Sequence, residues 1–399
     1  MNMQTVPTDN RKCSDWVALA TELGPRFAAR AAAHDASDSF VADNYRDLRA
    51  HRVFSAGVPA ELEGGGASHA ELCEMVRVIG QHCGSTALAL AMHTHQVAIA
   101  AWRWRHEGGV TEPLLRRVAS QESILVTSGG SDWLAGSGRA EKVDGGYRVS
   151  GRKVFASGAP AGDLFMTMAI HDDPAAGPTV LHFAIPLDAP GLQITDTWHT
   201  LGMRGTGSHD IVLDGVFVPD AAVGIRRPAG RWGQAWHVVA VLALPLIYAV
   251  YVGIAEAARA LALRQAAGRR LDAATQELVG RMENELATAR MGLRHMVEAA
   301  ACDLPGIETT NAVTIGRAVA GGAAIRTAEV AMEVASGAGF YRDLGLERLF
   351  RDVQGARYHP LRGRSQLLYA GRVALGVDVN GSDSPEATRR EDTRKEQTS

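Results

Sequence analysis

The sequence predicts an α+β fold in three parts, with helical segments before and after a central β-domain. Apolar residues recur every three or four positions near both ends, which is typical of amphipathic helices. Between them, short alternating runs are separated by Gly, Pro and Asp, as in antiparallel sheets. With 399 residues, 46% of them hydrophobic, the chain can form two or three cored domains. We expect a helical domain at 14–122, a β-domain at 123–226, a helical bundle at 227–378 and a disordered tail at 379–399.

The N-terminal part carries two stretches with helical spacing, "DWVALATELGPRFAARAAAH" and "HAELCEMVRVIGQHCG". A glycine turn, "EGGGAS", separates them. Ser68 ends this turn directly before the second stretch. Since serine side chains accept hydrogen bonds from the first amides of a helix, Ser68 is predicted to be its N-cap.

The middle part contains a hairpin bounded by small and hydroxyl residues. It reads "VTSGGSDWLAGSGRAEKVDGGYRVSGRKVFASG" from Val126 to Gly158, and its turn is predicted at Asp144-Gly145-Gly146. Small residues at both ends allow the backbone to approach a flat or charged ligand closely. The alternative is a glycine-rich hairpin without a ligand. The later stretch "GMRGTGSHD" lacks the GxGxxG order and precedes a strand, so it is not a dinucleotide-binding loop.

The C-terminal part is helical again, and "TQELVGRMENELATARMGLRHMVEAA" is its clearest amphipathic stretch. The run "VVAVLALPLIYAVYVGIA", Val238–Ala255, is about long enough to span a membrane. No second span or basic cluster accompanies it. We therefore expect a helix buried in a bundle and interrupted at Pro245, and no membrane association. The charged tail has almost no apolar residues, which predicts disorder.

Charge and cysteine content exclude several classes of function. The formal net charge of −3 argues against a broad nucleic-acid-binding surface. The four cysteines form no CxxC pair, and no histidine cluster has zinc spacing, so we expect neither a disulfide framework nor a metal site. The first residues contain no apolar signal segment, which together with the cysteines indicates a cytoplasmic protein.

Three stretches in order give the chain a resemblance to the acyl-CoA dehydrogenase superfamily of flavoproteins. They are the hairpin segment above, "TLGMRGTGSHDIVLDGVFVP" and "GAGFYRDLGLERLFRDVQ". The resemblance implies an N-terminal helical domain, a middle antiparallel β-barrel-like domain and a C-terminal four-helix bundle. It also implies FAD bound between the last two domains and a neighbouring subunit, usually in a homotetramer.

The resemblance assigns flavin contacts to particular residues of the hairpin. Thr127 matches a position that contacts the ring, and Phe155-Ala156-Ser157 matches the family's Trp-x-Thr signature. Phe155 is then expected to pack on the ring and Ser157 to hydrogen-bond near N5, the atom that receives hydride. Arg264 matches an arginine that binds a neighbour's FAD pyrophosphate, although the usual aromatic residue nearby is absent, and Gln276 matches an adenine-side contact.

Further along, Arg204 matches the β-domain signature and is either near the flavin or a structural ion-pair former. Thr206 and Ser208 are expected near the flavin edge.

The family's catalytic base is missing from this sequence. Family members use a glutamate to remove the α-proton of a thioester. Alignment through Gly363 places Arg362 at that position, and the family's alternative position falls near Ala243. Arg362 cannot accept a proton, but it can bind a carboxylate or stabilise developing negative charge. Alternatively, the inserted "RYHPL" turns it outward to solvent or into an ion pair between subunits.

Histidines are the remaining candidates for proton transfer. His359 lies on the same segment as Arg362 and can be a neutral base near pH 7. His93 and His95 lie on the helical domain that faces the substrate in this family, and monooxygenases of the superfamily use histidines from these two regions. The alternative for each is a buried histidine with a structural hydrogen bond.

Three functions follow as hypotheses. The first is an FAD-dependent oxidoreductase acting on an acyl thioester, by dehydrogenation or a variant that needs no glutamate. The second is a flavin-dependent monooxygenase, with FAD or FMN reduced by a partner reductase and O₂ as co-substrate. The third is a catalytically degenerate paralogue. An electron-transfer partner and a small-molecule substrate are implied for the enzymes.

Overall fold

The computed structural model describes residues 15–128, 130, 132, 134–268, 272–302 and 304–381. The expected tail lies almost wholly outside them.

The helices are α1 (Trp16–Ser37), α2 (Ala42–Ala50), α3 (His69–His82), α4 (Gly84–His106), α5 (Glu112–Gln121), α6 (Gln234–Ala267), α7 (Ala273–Ala300), α8 (Ile307–Ala335), α9 (Leu346–Val353) and α10 (Gly363–Ala374). The strands are β1 (Leu125–Thr127), β2 (Arg139–Val143), β3 (Gly146–Ala156), β4 (Leu164–Asp173), β5 (Gly177–Pro186), β6 (Leu192–Thr195), β7 (His209–Pro219) and β8 (Val223–Pro228). The predicted order of helices, β-structure and helices is confirmed.

The strands form one sheet in the order β6-β7-β3-β2-β4-β5-β8, and β1 pairs with β4. The predicted hairpin is confirmed, because β2 and β3 pair antiparallel with Val143 opposite Gly146. Gly145 has a φ of 71°, a left-handed conformation that glycine adopts without strain. The sheet is not wholly antiparallel, because β4 runs parallel to β1 and β2. A strand, β7, follows "GMRGTGS", as expected.

In the N-terminal part, the predicted N-cap of α3 is confirmed. Ser68 accepts a hydrogen bond from the Glu71 amide, and the Glu71 carboxylate accepts one from the Ser68 amide at 2.8 Å. This reciprocal capping box satisfies two amides that a helix start otherwise leaves unpaired. It fixes the start of α3, which packs against α6.

Helix α6 forms the centre of the helical core. It is long and apolar enough to cross a membrane, but 94% of its most apolar window is buried inside the protein. The expectation of an interruption at Pro245 is wrong, because α6 continues through this residue. His69 of α3 hydrogen-bonds at 2.8 Å to the carbonyl of Leu242, one turn earlier, which supplies a polar partner near the proline.

The Arg-Asp pair after α8 ties the parts of the chain together. Arg351 pairs with Asp35 of α1 at 2.6 Å and donates to the carbonyl of Leu201 at 2.9 Å. Asp352 accepts a hydrogen bond from the Met203 amide at 2.5 Å. The segment before β7 is therefore held by charged side chains from the C-terminal part, and this segment contributes to the cavity described next.

Candidate active site

A cavity of about 790 Å³ lies where α4, the sheet, α6 and the segment between α9 and α10 meet. Its α4 wall uses positions 88, 92, 95, 96, 99 and 103, and its α6 wall uses 236, 239, 243, 247 and 251. Both sets recur every three or four residues, so each helix presents one face. The volume lies in the range of cofactor and small-molecule sites.

A row of hydroxyl groups lines the β-side of the cavity. Ser157, at the end of β3, and Ser208, before β7, have their Oγ atoms 2.8 Å apart. Ser208 contacts the Thr206 hydroxyl at 2.6 Å, and Thr206 donates to the Met203 carbonyl at 2.9 Å. Ser157 and Ser208 line the cavity. Because Thr206 donates to the carbonyl, Ser208 donates to Thr206 and Ser157 donates to Ser208. Ser157 is left able to accept a hydrogen bond from a ligand.

An aromatic pair lies beside this row. Phe155 is 43% exposed and lines the cavity, with its ring centroid 4.7 Å from that of Trp198. The Trp198 indole donates to the Met203 carbonyl at 2.9 Å, which fixes its ring. A large exposed apolar side chain inside a cavity marks a surface that a flat ligand can cover.

His95 lines the cavity from α4, next to Thr127 of β1. The Nδ1 of His95 lies 3.1 Å from the Ala91 carbonyl, and its Nε2 lies 2.9 Å from the Gln96 amide nitrogen. Gln96 also donates to the Thr127 hydroxyl at 3.3 Å. Burial lowers the pKa of His95 to about 4, so the ring is neutral at pH 7.

His359 lines the opposite wall. Its Nε2 lies 2.6 Å from the Tyr251 hydroxyl of α6, and its carbonyl accepts a hydrogen bond from Arg317 of α8 at 2.5 Å. Burial, and then the positive charge of Arg317 and the proximity of His95 and Arg362, lower the pKa of His359 to about 3. His359 is therefore also neutral at pH 7.

Arg362 and Ala243, the two positions at which the base was expected, both line this cavity. Arg362 is exposed, precedes α10 directly, and therefore lies at the cavity mouth. Within the described part of the chain Arg362 has no ion-pair partner. The other lining arginines are paired, Arg351 with Asp35 and Arg103 with Glu107.

No Asp or Glu occurs among the described residues that line the cavity. The buried acid Asp352 does not line the cavity, and its carboxylate accepts a hydrogen bond from the amide of the lining residue Met203. Burial raises its pKa to about 6. The described walls therefore combine neutral histidines with arginines and hydroxyls, without a carboxylate base.

The structure does not bring His93 into the cavity. Its Nε2 is 2.7 Å from the Phe54 carbonyl, and its Nδ1 accepts from the Leu125 amide at 2.9 Å. Because two residues turn a helix by about 200°, His93 and His95 face opposite sides of α4. With both ring nitrogens bonded to backbone, His93 is a structural histidine, the alternative stated above. The candidate catalytic assignment of His93 is corrected accordingly.

Other predicted contacts lie outside the cavity. Arg264, near the end of α6, and Gln276, near the start of α7, are exposed and do not line it. Their flavin contacts across a subunit boundary stay a prediction. Arg204 pairs with Asp38 at 2.7 Å, which is the structural role stated above as an alternative.

Sequence reasoning missed three side chains of the site: Gln96, Trp198 and Tyr251. Tyr251 carried a usable signal, because a tyrosine in a continuously apolar helix needs a buried hydrogen-bond partner. Gln96 is the polar neighbour of His95 on the cavity face of α4. Nothing in the local pattern around Trp198 distinguishes it from an ordinary loop residue.

Comparisons with known proteins agree with this architecture. Models of the acyl-CoA dehydrogenase family match the chain over residues 19–107 for the N-terminal domain, 127–216 for the middle domain and 242–366 for the C-terminal domain. Amino sugar nitrososynthase RubN8 of Streptomyces rubradiris is 32% identical, covering 93% of this chain and 92% of that protein. Putative acyl-CoA dehydrogenase YdbM of Bacillus subtilis is 26% identical, covering 88% of this chain and 94% of its own length.

Among solved structures, KijD3 in complex with FMN and dTDP-3-amino-2,3,6-trideoxy-4-keto-3-methyl-D-glucose superimposes with a TM-score of 0.84. It is 26% identical and the match covers 94% of this chain and 95% of KijD3. Fold and cavity thus define a flavin-dependent oxidoreductase. The chain belongs to the acyl-CoA dehydrogenase family, as its sequence indicated.

Proposed function

We propose that this protein is a flavin-dependent monooxygenase that oxygenates the nitrogen of an amine, with nucleotide-linked amino sugars as its substrate class. The observation that carries the proposal is the cavity wall. Neutral His95 and His359 and the unpaired Arg362 face it, while no carboxylate lines its described part. Acyl-thioester desaturation needs a carboxylate in this place. We therefore prefer the second hypothesis from the sequence to the first.

The cavity fits a flavin by its own chemistry. Thr127, Ser157 and Ser208 supply hydroxyls for the polar edge of the ring, and Phe155 and Trp198 supply an aromatic surface for its face. When bound and reduced, the flavin supplies two electrons to O₂, so that one oxygen atom enters the substrate and the other leaves as water. These intact contacts also argue against a degenerate paralogue.

The charge of the cavity suits an amine substrate. A nitrogen accepts an oxygen atom only through its free lone pair, so the amine must be neutral when it reacts. Nearby positive charge lowers the pKa of an amine, whereas a carboxylate would raise it. A described wall without a carboxylate is therefore expected to favour the reactive neutral amine.

Arg362 is also placed to hold the anionic part of such a substrate. Its guanidinium is a fork of donors that binds phosphate oxygens in pairs, and no acid in the described chain competes for it. The relatives named above support the class, because RubN8 carries the name amino sugar nitrososynthase and KijD3 was crystallised with a dTDP-linked amino sugar.

FMN is the proposed cofactor, with a separate flavin reductase as the electron-donating partner. We also propose a homo-oligomer. Exposed apolar side chains on the C-terminal part, Phe340 at 85%, Leu375 at 79% and Leu367 at 70%, offer a surface that a second copy can cover. Light scattering tests this, and a monomer in solution contradicts it.

The test of function combines the purified protein, FMN, NADH, a flavin reductase and dTDP-linked amino sugars under ¹⁸O₂. We expect a product carrying one ¹⁸O atom, formed only when reductase and protein are both present. Reactions without the protein control for free hydrogen peroxide. Bleaching of the bound flavin by ordinary acyl-CoAs in the absence of reductase would favour the thioester hypothesis instead.

A further inference from the structure

Two phenols of α6 hold the segment that carries His359. Tyr248 donates to the Ala356 carbonyl at 2.7 Å, and Tyr251 lies 2.6 Å from the His359 Nε2. Both tyrosines are fully buried. Gly355 allows the close approach, because a Cβ at this position would come within 2.7 Å of the Tyr251 hydroxyl oxygen. The absence of a side chain at Gly355 thus leaves room for the Tyr251 hydroxyl beside His359.

In the hydrogen bond between the Tyr251 hydroxyl and the His359 Nε2, either group can be the donor. If Nε2 carries the proton of His359, Tyr251 accepts it, and the hydroxyl proton of Tyr251 must find another acceptor. The described chain offers it none. Water in the cavity does not reach this hydroxyl either, because Tyr251 has no exposed surface whereas His359 is only half-buried, and a buried donor without a partner is costly. If Nδ1 carries the proton instead, Tyr251 donates to Nε2. The remaining Nδ1–H has no protein partner in the described chain, but His359 lines the cavity, where water or a ligand can accept.

We propose that Tyr251 is a positioning residue that fixes neutral His359 with its proton on Nδ1, so that His359 offers the cavity a hydrogen-bond donor and not a base. The catalytic role of His359 in this inference rests on the proposed function. A fixed neutral donor stabilises negative charge that develops on oxygen during the reaction. Under this proposal His359 is a hydrogen-bond donor, in contrast to the neutral base expected from the sequence.

His95 provides the contrast across the cavity. Its Nδ1 faces the Ala91 carbonyl, which only accepts, so the proton lies on Nδ1 and the lone pair on Nε2. That lone pair accepts from Gln96. A ligand therefore reaches a histidine lone pair on this wall by displacing the Gln96 amide. Neither His95 nor His359 presents a free lone pair to the cavity. His359 offers a donor, whereas His95 offers a lone pair that Gln96 covers.

The direct test is nitrogen-15 NMR of the flavin-free protein with labelled histidine, at about pH 7. The His359 signals are assigned by their loss in His359→Gln. We expect a protonated Nδ1 and an unprotonated Nε2 in the wild type, and a shift toward the other tautomer in Tyr251→Phe. Tyr248→Phe is the matched control, since this phenol lies one turn away and bonds a carbonyl; it should leave the tautomer unchanged. Protonated Nε2 in the wild type overturns the proposal.

Kinetics give a second readout in the coupled oxygenation assay. Tyr251→Phe should lower kcat roughly tenfold, as for loss of one hydrogen bond, with KM within about twofold. His359→Asn, whose amide nitrogen can take the place of Nδ1 and keep a donor there, should retain more activity than His359→Ala. Equal loss in both overturns the donor role. If no amine is oxygenated by the wild type, the proposed function fails, while the NMR result still decides the tautomer.

The pH profile separates the donor from a base. The groups facing His359 are Tyr248 and Tyr251 of α6, Arg317 of α8, His95 of α4 and Arg362 of its own segment. We expect kcat/KM to show no inflection from His359 between about pH 6 and pH 8. An inflection there that disappears in His359→Gln overturns the proposal.

Discussion

The β-side and the helical side of the cavity relate differently to the acyl-CoA dehydrogenase family. On the β-side, Thr127, Phe155 and Ser157 occupy the places that the family pattern gives to flavin contacts, and all three line the cavity. On the helical side, both positions for the family's base hold other residues, Arg362 and Ala243. The family pattern for cofactor contacts therefore recurs on the β-side, whereas the family pattern for the base is absent from the helical side.

This difference fits the division of labour in a flavoenzyme. The cofactor carries the electron chemistry, so its contacts are common to many reactions. The substrate side decides where protons and charges are placed. There Arg362 stands where the family pattern has a carboxylate, and His359 of the same segment lines the cavity. The following predictions, ordered from the largest expected effect to the smallest, test each side separately.

Arg362→Glu should restore a carboxylate at the family's position on the helical side. We expect the wild type to show no flavin bleaching with acyl-CoAs, and the variant to gain it, because only the glutamate can accept an α-proton. Absorbance of the bound flavin measures this. Arg362→Gln, which removes the charge without supplying a base, is the control. If the wild type already bleaches and Arg362→Glu changes nothing, the base lies elsewhere.

Ser157→Ala should weaken flavin binding from the β-side. The substitution removes a ring contact and leaves the buried Ser208 hydroxyl without its partner at 2.8 Å, so the Kd should rise roughly tenfold. Fluorescence titration with FMN measures it. Thr200→Val, a cavity hydroxyl outside the row that donates to the Gly202 carbonyl, should have a smaller effect. An unchanged Kd and flavin spectrum in Ser157→Ala would mean that the hairpin is misaligned with the family pattern.

The sequence predicted the β-side better than the helical side for a physical reason. Thr127 and Ser157 lie at the two ends of one hairpin segment, so a local pattern of small and hydroxyl residues brings them together. The Tyr251–His359 contact joins α6 to a segment more than a hundred positions later, and no local pattern encodes such a pair. Its existence depends on how α6 packs.

The sequence predicted helix α4, but it did not show which side of this helix faces the cavity. The periodicity of "ALALAMHTHQVAIAAW" predicts a helix, but nearly every side of it is apolar. Without a polar face, the sequence does not show whether His93 or His95 faces the cavity. Packing against Phe54 and Leu125 decides it, and those contacts appear only in the fold.

Acid should destabilise the protein through its buried histidines. Burial lowers the pKa of His93 and His95 to about 4 and of His182 and His359 to about 3. As the pH falls below about 6.5, the unfolded chain binds protons that these folded groups do not, so the free energy of unfolding falls toward pH 4. Asp352, whose pKa is raised to about 6, acts in the opposite direction.

The histidines with lowered pKa values outnumber the carboxyl groups with raised ones, which are Asp352 and Glu122. Tm should therefore be lower at pH 5 than at pH 7. Calorimetry across this range measures it. His93→Gln, which removes one such group outside the cavity, should reduce the pH dependence of Tm without abolishing flavin binding. A Tm that rises on acidification would contradict the prediction.

Arg264→Ala should have the smallest effect, and it distinguishes the two flavins. Arg264 is exposed near the end of α6 and lies outside the cavity, so it reaches a cofactor only from a second copy of the chain. The family role of this arginine is to bind the FAD pyrophosphate, and FMN has none. If FMN is the cofactor, the Kd for FMN should change by less than about twofold, since no charge-assisted hydrogen bond is lost. Gln276→Ala should behave in the same way, because its family role is on the adenine side.

Mass spectrometry of the flavin released from the purified protein, with titration of each variant, checks both. Release of FAD from the wild type, with weaker FAD retention in Arg264→Ala, would instead establish that FAD is bound and that a neighbouring subunit completes its site.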